Sequence, residues 1–173
     1  MVIRKAGPSD AKQIAVVIVE AWRAAYRGLV PDSTLDDLSV EDFAERWRER
    51  IANLWGHIFV AEREGQVVGV VACGSTQDED VDHDKVGEIH VIYVHPDEWR
   101  QGHGSALAGE ALRCLREEGF DEVVLWVLRG NERAAKFYEA EGFAADGGSK
   151  VKRRADGSEM PVVRYRRSIR PAG

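Results

Sequence analysis

Apolar residues recur at helical spacing in four stretches of the chain. The first stripe spans residues 11–25 and is followed by Gly28, a residue typical of helix C-caps. The second starts after Ser39, a favoured N-cap residue, and the other two follow Gly104 and Asn131. We therefore predict four amphipathic helices, each with one face for a core.

Runs rich in β-branched residues, and runs that alternate apolar and polar residues, predict strands. They lie at residues 2–4, 57–62, 66–73, 87–94, 123–128, 149–153 and 161–169. Gly65 and the Asp-Gly pair at 156–157 predict hairpin turns, and residues 29–38 predict a loop. The acidic run 78–84 lacks the glycine and terminal Glu of an EF-hand and is expected to be a mobile, solvated loop. The basic residues of the last hairpin are expected on an exposed face.

Alternation along the strand at residues 87–94 assigns its side chains to two faces. One face would carry Glu88, His90, Ile92 and Val94, and the other Ile89, Val91 and Tyr93. Glu88 and His90 would then be neighbours, and burying either without a partner is costly. They fit a structural ion pair, or a general base and proton relay.

A glycine turn joins this strand to the third predicted helix. Pro96 ends the strand, and Gly102 and Gly104 permit a turn with positive φ and a close approach of a ligand to the backbone. The free amides and the dipole at a helix N-terminus suit an anion such as a pyrophosphate. A plain strand-turn-helix connection explains the two glycines about as well, and the P-loop ending is absent.

Composition sets broad limits on the class of protein. The 173 residues, 44% hydrophobic and 31% charged, predict one ordinary globular domain without a membrane helix or signal peptide, and cytoplasmic by default. The net charge of −6 argues against a nucleic-acid partner and mildly favours a cationic one, such as an amine. Cys73 and Cys114 form no metal or redox motif and are expected to be buried.

The block at residues 123–143 makes the interpretation of the glycine turn more specific. It contains a predicted strand, Asn131, a helix with Phe-Tyr at 137–138 and a Gly-Phe ending at 142–143. Together with the turn, this block resembles the GNAT superfamily of acyl-CoA-dependent N-acetyltransferases, whose pyrophosphate loop reads (Arg/Gln)-x-x-Gly-x-(Gly/Ala).

The resemblance is close over residues 88–143 and looser outside them. One departure is that Trp99 occupies the first position of the loop pattern, while the arginine is next to it at Arg100. The resemblance implies an α/β (α+β) fold, with a mixed, mostly antiparallel central sheet of about six to seven strands flanked by helices on both faces. It also implies a single GNAT domain over residues 1–173.

The activity implied by the resemblance is transfer of an acetyl group from acetyl-CoA, as co-substrate, to a primary amine of a small molecule or peptide by direct attack. No metal or membrane is implied, and a homodimer is an open possibility. The residues expected to bind the cofactor are the backbone of Ile92, Tyr93 and Val94, the loop of Arg100, Gln101, Gly102, His103, Gly104 and Ser105, and Asn131.

The same resemblance suggests roles for side chains. Glu88 is the first choice for the base that takes the proton of the amine, with His90 second, and Tyr138 can donate a proton to the departing thiolate. On spacing alone, the first interpretation of Tyr138 is a packed aromatic residue of an amphipathic helix. Trp22 and Tyr26 are expected to be core and rim aromatics that can touch the acceptor.

Two other functions remain open at this point. A silent acyl-CoA-binding sensor would keep the cradle without turnover, and a different nucleotide-binding domain would take ATP or NAD. The identity of the acceptor does not follow from the residues.

Overall fold

In a computed structural model that describes residues 1–172, seven strands form one sheet in the order β1-β2-β3-β4-β5-β7-β6. Their bounds are β1 Val2–Lys5, β2 His57–Arg63, β3 Gln66–Ser75, β4 Val86–Val94, β5 Glu122–Leu128, β6 Ala144–Arg153 and β7 Glu159–Ser168. Neighbouring strands are antiparallel except β4 and β5, which are parallel. The predicted mixed, mostly antiparallel sheet is confirmed.

Helices cover both faces of the sheet. They are α1 Ala11–Ala25, α2 Asp32–Asp36, α3 Val40–Ala52, α4 His103–Glu117 and α5 Glu132–Ala140. The apolar stripes of α1 and α3 form one core with β2 and β3, and the stripe of α4 forms the other core on the opposite face. Within residues 1–172, no helix combines the length and the apolar character needed to cross a bilayer.

The segment predicted as a loop at 29–38 contains the short helix α2. Leu35 is fully buried there, in a third cluster with Val19 of α1 and Val30. This contact with α1 comes from tertiary packing, which the polar composition of the segment did not indicate.

A β-bulge in β4 changes the predicted assignment of its faces. Ala72 of β3 pairs with Val91 and Cys73 pairs with Ile89, so His90 is the extra residue. Ile89 consequently packs in the core under α4, whereas Val91 packs in the core under α1. The prediction that Ile89 shares a face with Val91 and Tyr93 is therefore wrong, because the bulge interrupts the alternation.

The acidic segment after β3 is anchored, not freely solvated. Asp78 is buried, and its Oδ2 accepts a hydrogen bond of 3.1 Å from Nη1 of Arg164 on β7. The same guanidinium, only 5% exposed, also binds Asp80 at 2.7 Å and Asp146 at 2.8 Å. The prediction of a solvated loop is wrong at Asp78, and that of an exposed basic face is wrong at Arg164, because charges distant in sequence neutralise each other.

Candidate active site

The strands β4 and β5 run side by side only at their first residues. Val86–Glu88 pair with Glu122–Val124, and no further pairs follow. Beyond this point a cavity of about 390 Å³ separates residues 89–94 of β4 from residues 125–128 of β5. The bulge at His90 adds local twist at the start of the separation. The β5-facing edge of β4 therefore offers unpaired backbone groups to a ligand with amide groups.

Most of the residues predicted for the site line this one cavity. They are Tyr26, His90, Ile92, Tyr93, Val94, Arg100, Gly102, His103, Gly104, Ser105, Asn131 and Tyr138. Glu88, Gln101 and Trp22 lie outside its lining. Residues from the first and last thirds of the chain thus meet in one place.

An anion cradle is formed at the start of α4. Arg100 and Gly102 have φ values of +64° and +85°, and the helix begins at His103 without a side-chain cap. The amides of its first turn therefore remain free to donate. A Cβ on Gly104 would lie 3.2 Å from the ring of Phe137, so a larger residue would press on that ring. This geometry fits the pyrophosphate of a coenzyme A derivative.

Two arginines without carboxylate partners stand beside the cradle. The guanidinium carbon of Arg133 lies 3.2 Å from the centre of the Trp99 ring, and Trp99 donates to the carbonyl of Val94 at 2.8 Å. Burial and the charge of Arg100 lower the pKa of Arg133. Neither arginine has a carboxylate within 4.0 Å in the described part of the chain. Arg133 was not predicted for the site from the sequence. The one signal was Trp99, which occupies the loop position where Arg or Gln is typical and which Arg133 contacts.

Two other loop side chains are engaged within the protein. Gln101 accepts a hydrogen bond of 2.8 Å from Arg63, so its side chain is turned away from the cavity. His103 is buried, with Nε2 3.1 Å from Glu98. Only the backbone of Gln101 is left for the predicted role in the cradle.

Glu88 and His90 are neighbours, as the strand predicts. His90 Nδ1 lies 3.7 Å from Oε1 of Glu88, and both side chains are largely buried. The ring of Trp55 covers His90 at a centre-to-centre distance of 5.5 Å. Of the two residues, His90 is among those that line the cavity and Glu88 is not, and Nε2 of the His90 imidazole lies beside Gly74 of β3.

Three tyrosines converge on the cavity. Tyr138 packs between Phe137 and Phe143, with ring centres 5.2 and 6.0 Å away. Burial raises the pKa of Tyr138, Tyr93 and Tyr26 above the usual value for a phenol. Each hydroxyl is therefore protonated near neutral pH, as an ordinary phenol also is, and is available as a hydrogen-bond donor.

Asn131 has an evident structural role. Its Oδ1 accepts a hydrogen bond of 3.2 Å from the amide of Ala134 and caps α5. The cap fixes the turn after β5, from which α5 directs Phe137 and Tyr138 to the cavity.

Two features can be compared with known proteins: the separation of β4 from β5, and the uncapped N-terminus of α4 beside the cavity. A family model described as the Acetyltransferase (GNAT) family matches residues 17–143, most of the chain. The chain belongs to the GNAT acetyltransferase family. Membership makes the protein an acetyltransferase with acetyl-CoA as its co-substrate, as the resemblance implied.

One relative agrees with this GNAT protein in sequence, and two solved structures agree with it in fold. YuaI of Bacillus subtilis, named an uncharacterized N-acetyltransferase, is 34% identical over 139 residues, which are 80% of this chain and 77% of YuaI. The PaiA N-acetyltransferase of Thermoplasma acidophilum, solved with coenzyme A, superposes with a TM-score of 0.70 at 20% identity, covering 96% of this chain and 98% of PaiA. YncA of Salmonella typhimurium, solved with acetyl-CoA, gives 0.71 at 19% identity, covering 100% and 96%.

Proposed function

We propose that this GNAT protein transfers the acetyl group of acetyl-CoA to a primary amine of a small molecule or peptide by direct attack. The supporting observation is that one cavity holds an anion cradle, a histidine and a protonated phenol. Acetyl-CoA supplies an acetyl group activated as a thioester. The cradle amides, Arg100 and Arg133 would hold its phosphates, and the free edge of β4 would hold its pantetheine amides.

The base in this proposal is His90. An amine that is protonated at neutral pH must lose a proton before it can attack, and His90, unlike Glu88, is among the residues that line the cavity beside the bulge. Glu88, 3.7 Å behind it, stabilises the imidazolium that forms when His90 accepts that proton. This reverses the order suggested by the sequence and makes Glu88 a positioning residue.

The acid in this proposal is Tyr138. As the amine nitrogen forms its bond to the acetyl carbon, the bond from that carbon to sulfur breaks and leaves a thiolate. The phenol of Tyr138, which is protonated at neutral pH, gives its proton to the sulfur as negative charge develops there. His90 then carries the proton lost by the amine, and both groups return to their starting forms by exchange with water.

The test is release of CoA thiol from acetyl-CoA in the presence of a panel of amines. Tyr138→Phe is expected to lower kcat by about 10²-fold or more, while the KM for acetyl-CoA changes less than about twofold. Tyr165→Phe is the matched control, because Tyr165 is buried in the core and does not line the cavity. Cys73 and Cys114 are buried as predicted, and burial raises their pKa, so their reaction with the thiol reagent should be slow.

A second pair of variants assigns the base. His90→Asn is expected to lower kcat/KM about 10²- to 10⁴-fold, and Glu88→Gln by less, since it acts through His90. A near-normal His90→Asn with an inactive Glu88→Gln would restore Glu88 as the base. If Tyr138→Phe matches Tyr165→Phe, Tyr138 has no acid role. Multiple turnover with any amine excludes the sensor function.

A further inference from the structure

Arg154 places a cation on the turn between β6 and β7, next to the tyrosines of the cavity and outside the residues that line it. The backbone of Arg154 is fixed there by hydrogen bonds of 2.9 Å to the carbonyl of Ser158 and 3.0 Å from the amide of Gly157. Its guanidinium carbon lies 4.7 Å from the centre of the Trp22 ring. Trp22 in turn contacts Tyr26, which lines the cavity, at a ring-centre distance of 4.9 Å.

One polar hydrogen of Arg154 lacks an acceptor. Nε of Arg154 is buried and donates to no residue of the described chain. The nearest carboxylate, on Asp156, has its Oδ2 4.0 Å from Nε, too far for a hydrogen bond, while its Oδ1 accepts from the amide and hydroxyl of Ser158. Buried donors without acceptors are rare in folded proteins, so this N–H requires an acceptor, which a water molecule or a ligand group can supply.

Acidic side chains are scarce where a cationic acceptor would need them. In the described part of the chain, Glu98 is the only carboxylate that lines the cavity, and it is held by Arg63 at 2.9 Å and His103 at 3.1 Å. The net charge of −6 is therefore a poor guide to the field at this site. Locally the unsatisfied charge is positive.

We propose that Arg154, with Trp22 as its platform, binds an anionic group of the acceptor, so that the substrate class is a primary amine that carries a carboxylate. Guanidinium groups bind carboxylates through two parallel hydrogen bonds, and the Trp22 ring keeps the fork oriented. This inference rests on the proposed amine acetylation and narrows its acceptor.

The experiment compares each free amino acid with its own carboxamide, for example L-methionine with L-methioninamide, and includes β-alanine and 4-aminobutyrate to vary the spacing. At least one free acid should exceed its carboxamide at least tenfold in kcat/KM. The amine of a carboxamide is less basic, so amine basicity alone would favour the opposite order.

Arg154→Gln should lower kcat/KM for the preferred acid about 10- to 100-fold, mainly through KM, and leave its carboxamide within about twofold. Arg154→Lys should retain part of the preference, because it keeps the charge and loses the fork. Arg153→Gln is the matched control, since Arg153 is exposed and paired with Glu159 at 2.6 Å.

The outcomes separate this inference from the proposed function. The carboxylate subsite is overturned if kcat/KM is as high for carboxamides as for acids, or if Arg154→Gln lowers kcat/KM equally for both. The proposed acetylation stands in either case. If no acceptor is acetylated, calorimetry of N-acetyl-L-methionine with the CoA-saturated protein decides the matter. Binding that is lost in Arg154→Gln supports the subsite, and absence of binding refutes it.

Discussion

Replacement of Arg164 by methionine tests how strongly the charged cluster behind the cavity holds the fold. Arg164 is 5% exposed and binds Asp78, Asp80 and Asp146 through 2.7 to 3.1 Å contacts. Methionine keeps an apolar stem of similar length and removes the charge. Two largely buried carboxylates, those of Asp78 and Asp146, then lose their shared cation.

The size of the effect depends on the partners that remain. Removing one member of a buried ion pair costs about 3–5 kcal/mol. Asp78 keeps hydrogen bonds of 3.0 Å from Trp126 and from Lys150, and Asp146 keeps one of 3.1 Å from Arg166. We therefore expect the lower end, about 3 kcal/mol, out of a typical total of about 5–15 kcal/mol.

Urea unfolding followed by circular dichroism measures this change. Arg164→Met should lower the midpoint at an unchanged m-value. Arg153→Met is the matched control on the neighbouring strand, and its exposed pair with Glu159 should contribute only about 0–1 kcal/mol. A loss below about 1 kcal/mol in Arg164→Met, or losses equal in the two variants, would refute the view that the buried charges stabilise this region.

Two further predictions concern α4 and the first strand. Gly104→Ala should raise the KM for acetyl-CoA and lower stability, because its Cβ would meet Phe137 at 3.2 Å. Gly109→Ala, in open space on the same helix, is the control and should add about 0.5–1 kcal/mol to the free energy of unfolding in urea. Equal stabilisation by both variants would contradict this prediction. The hydrogen-bonded guanidinium of Arg4 lowers the pKa of buried Asp10. The ion pair therefore stabilises the fold fully above the carboxyl pKa of the unfolded chain, about 4. This stabilisation is lost as the pH falls through the lower pKa of the folded protein. Stability measured from pH 5 to pH 2 should therefore fall more steeply in wild type than in Arg4→Met, and parallel curves would contradict the linkage.

Local signals in the sequence predicted much of this molecule. The order of strands and helices follows from the periodicity of apolar residues. The positive φ at Gly102 follows from the presence of glycine, the residue that adopts this conformation without strain. The Asn131 block and the glycine turn identified the family, and most of the residues predicted for the site line one cavity. These features depend on residues close together in the chain, so their pattern is visible there.

Only the tertiary structure decided the features that depend on distant residues. The bulge at His90 arises in pairing with β3 and brings His90, not Glu88, to the cavity wall. Arg133 reaches Trp99 across 34 positions (133 − 99), and Arg154 reaches Trp22 across 132 (154 − 22). Composition and spacing determine which groups are available and which elements carry them, whereas the charge next to the acceptor depends on which surfaces pack together.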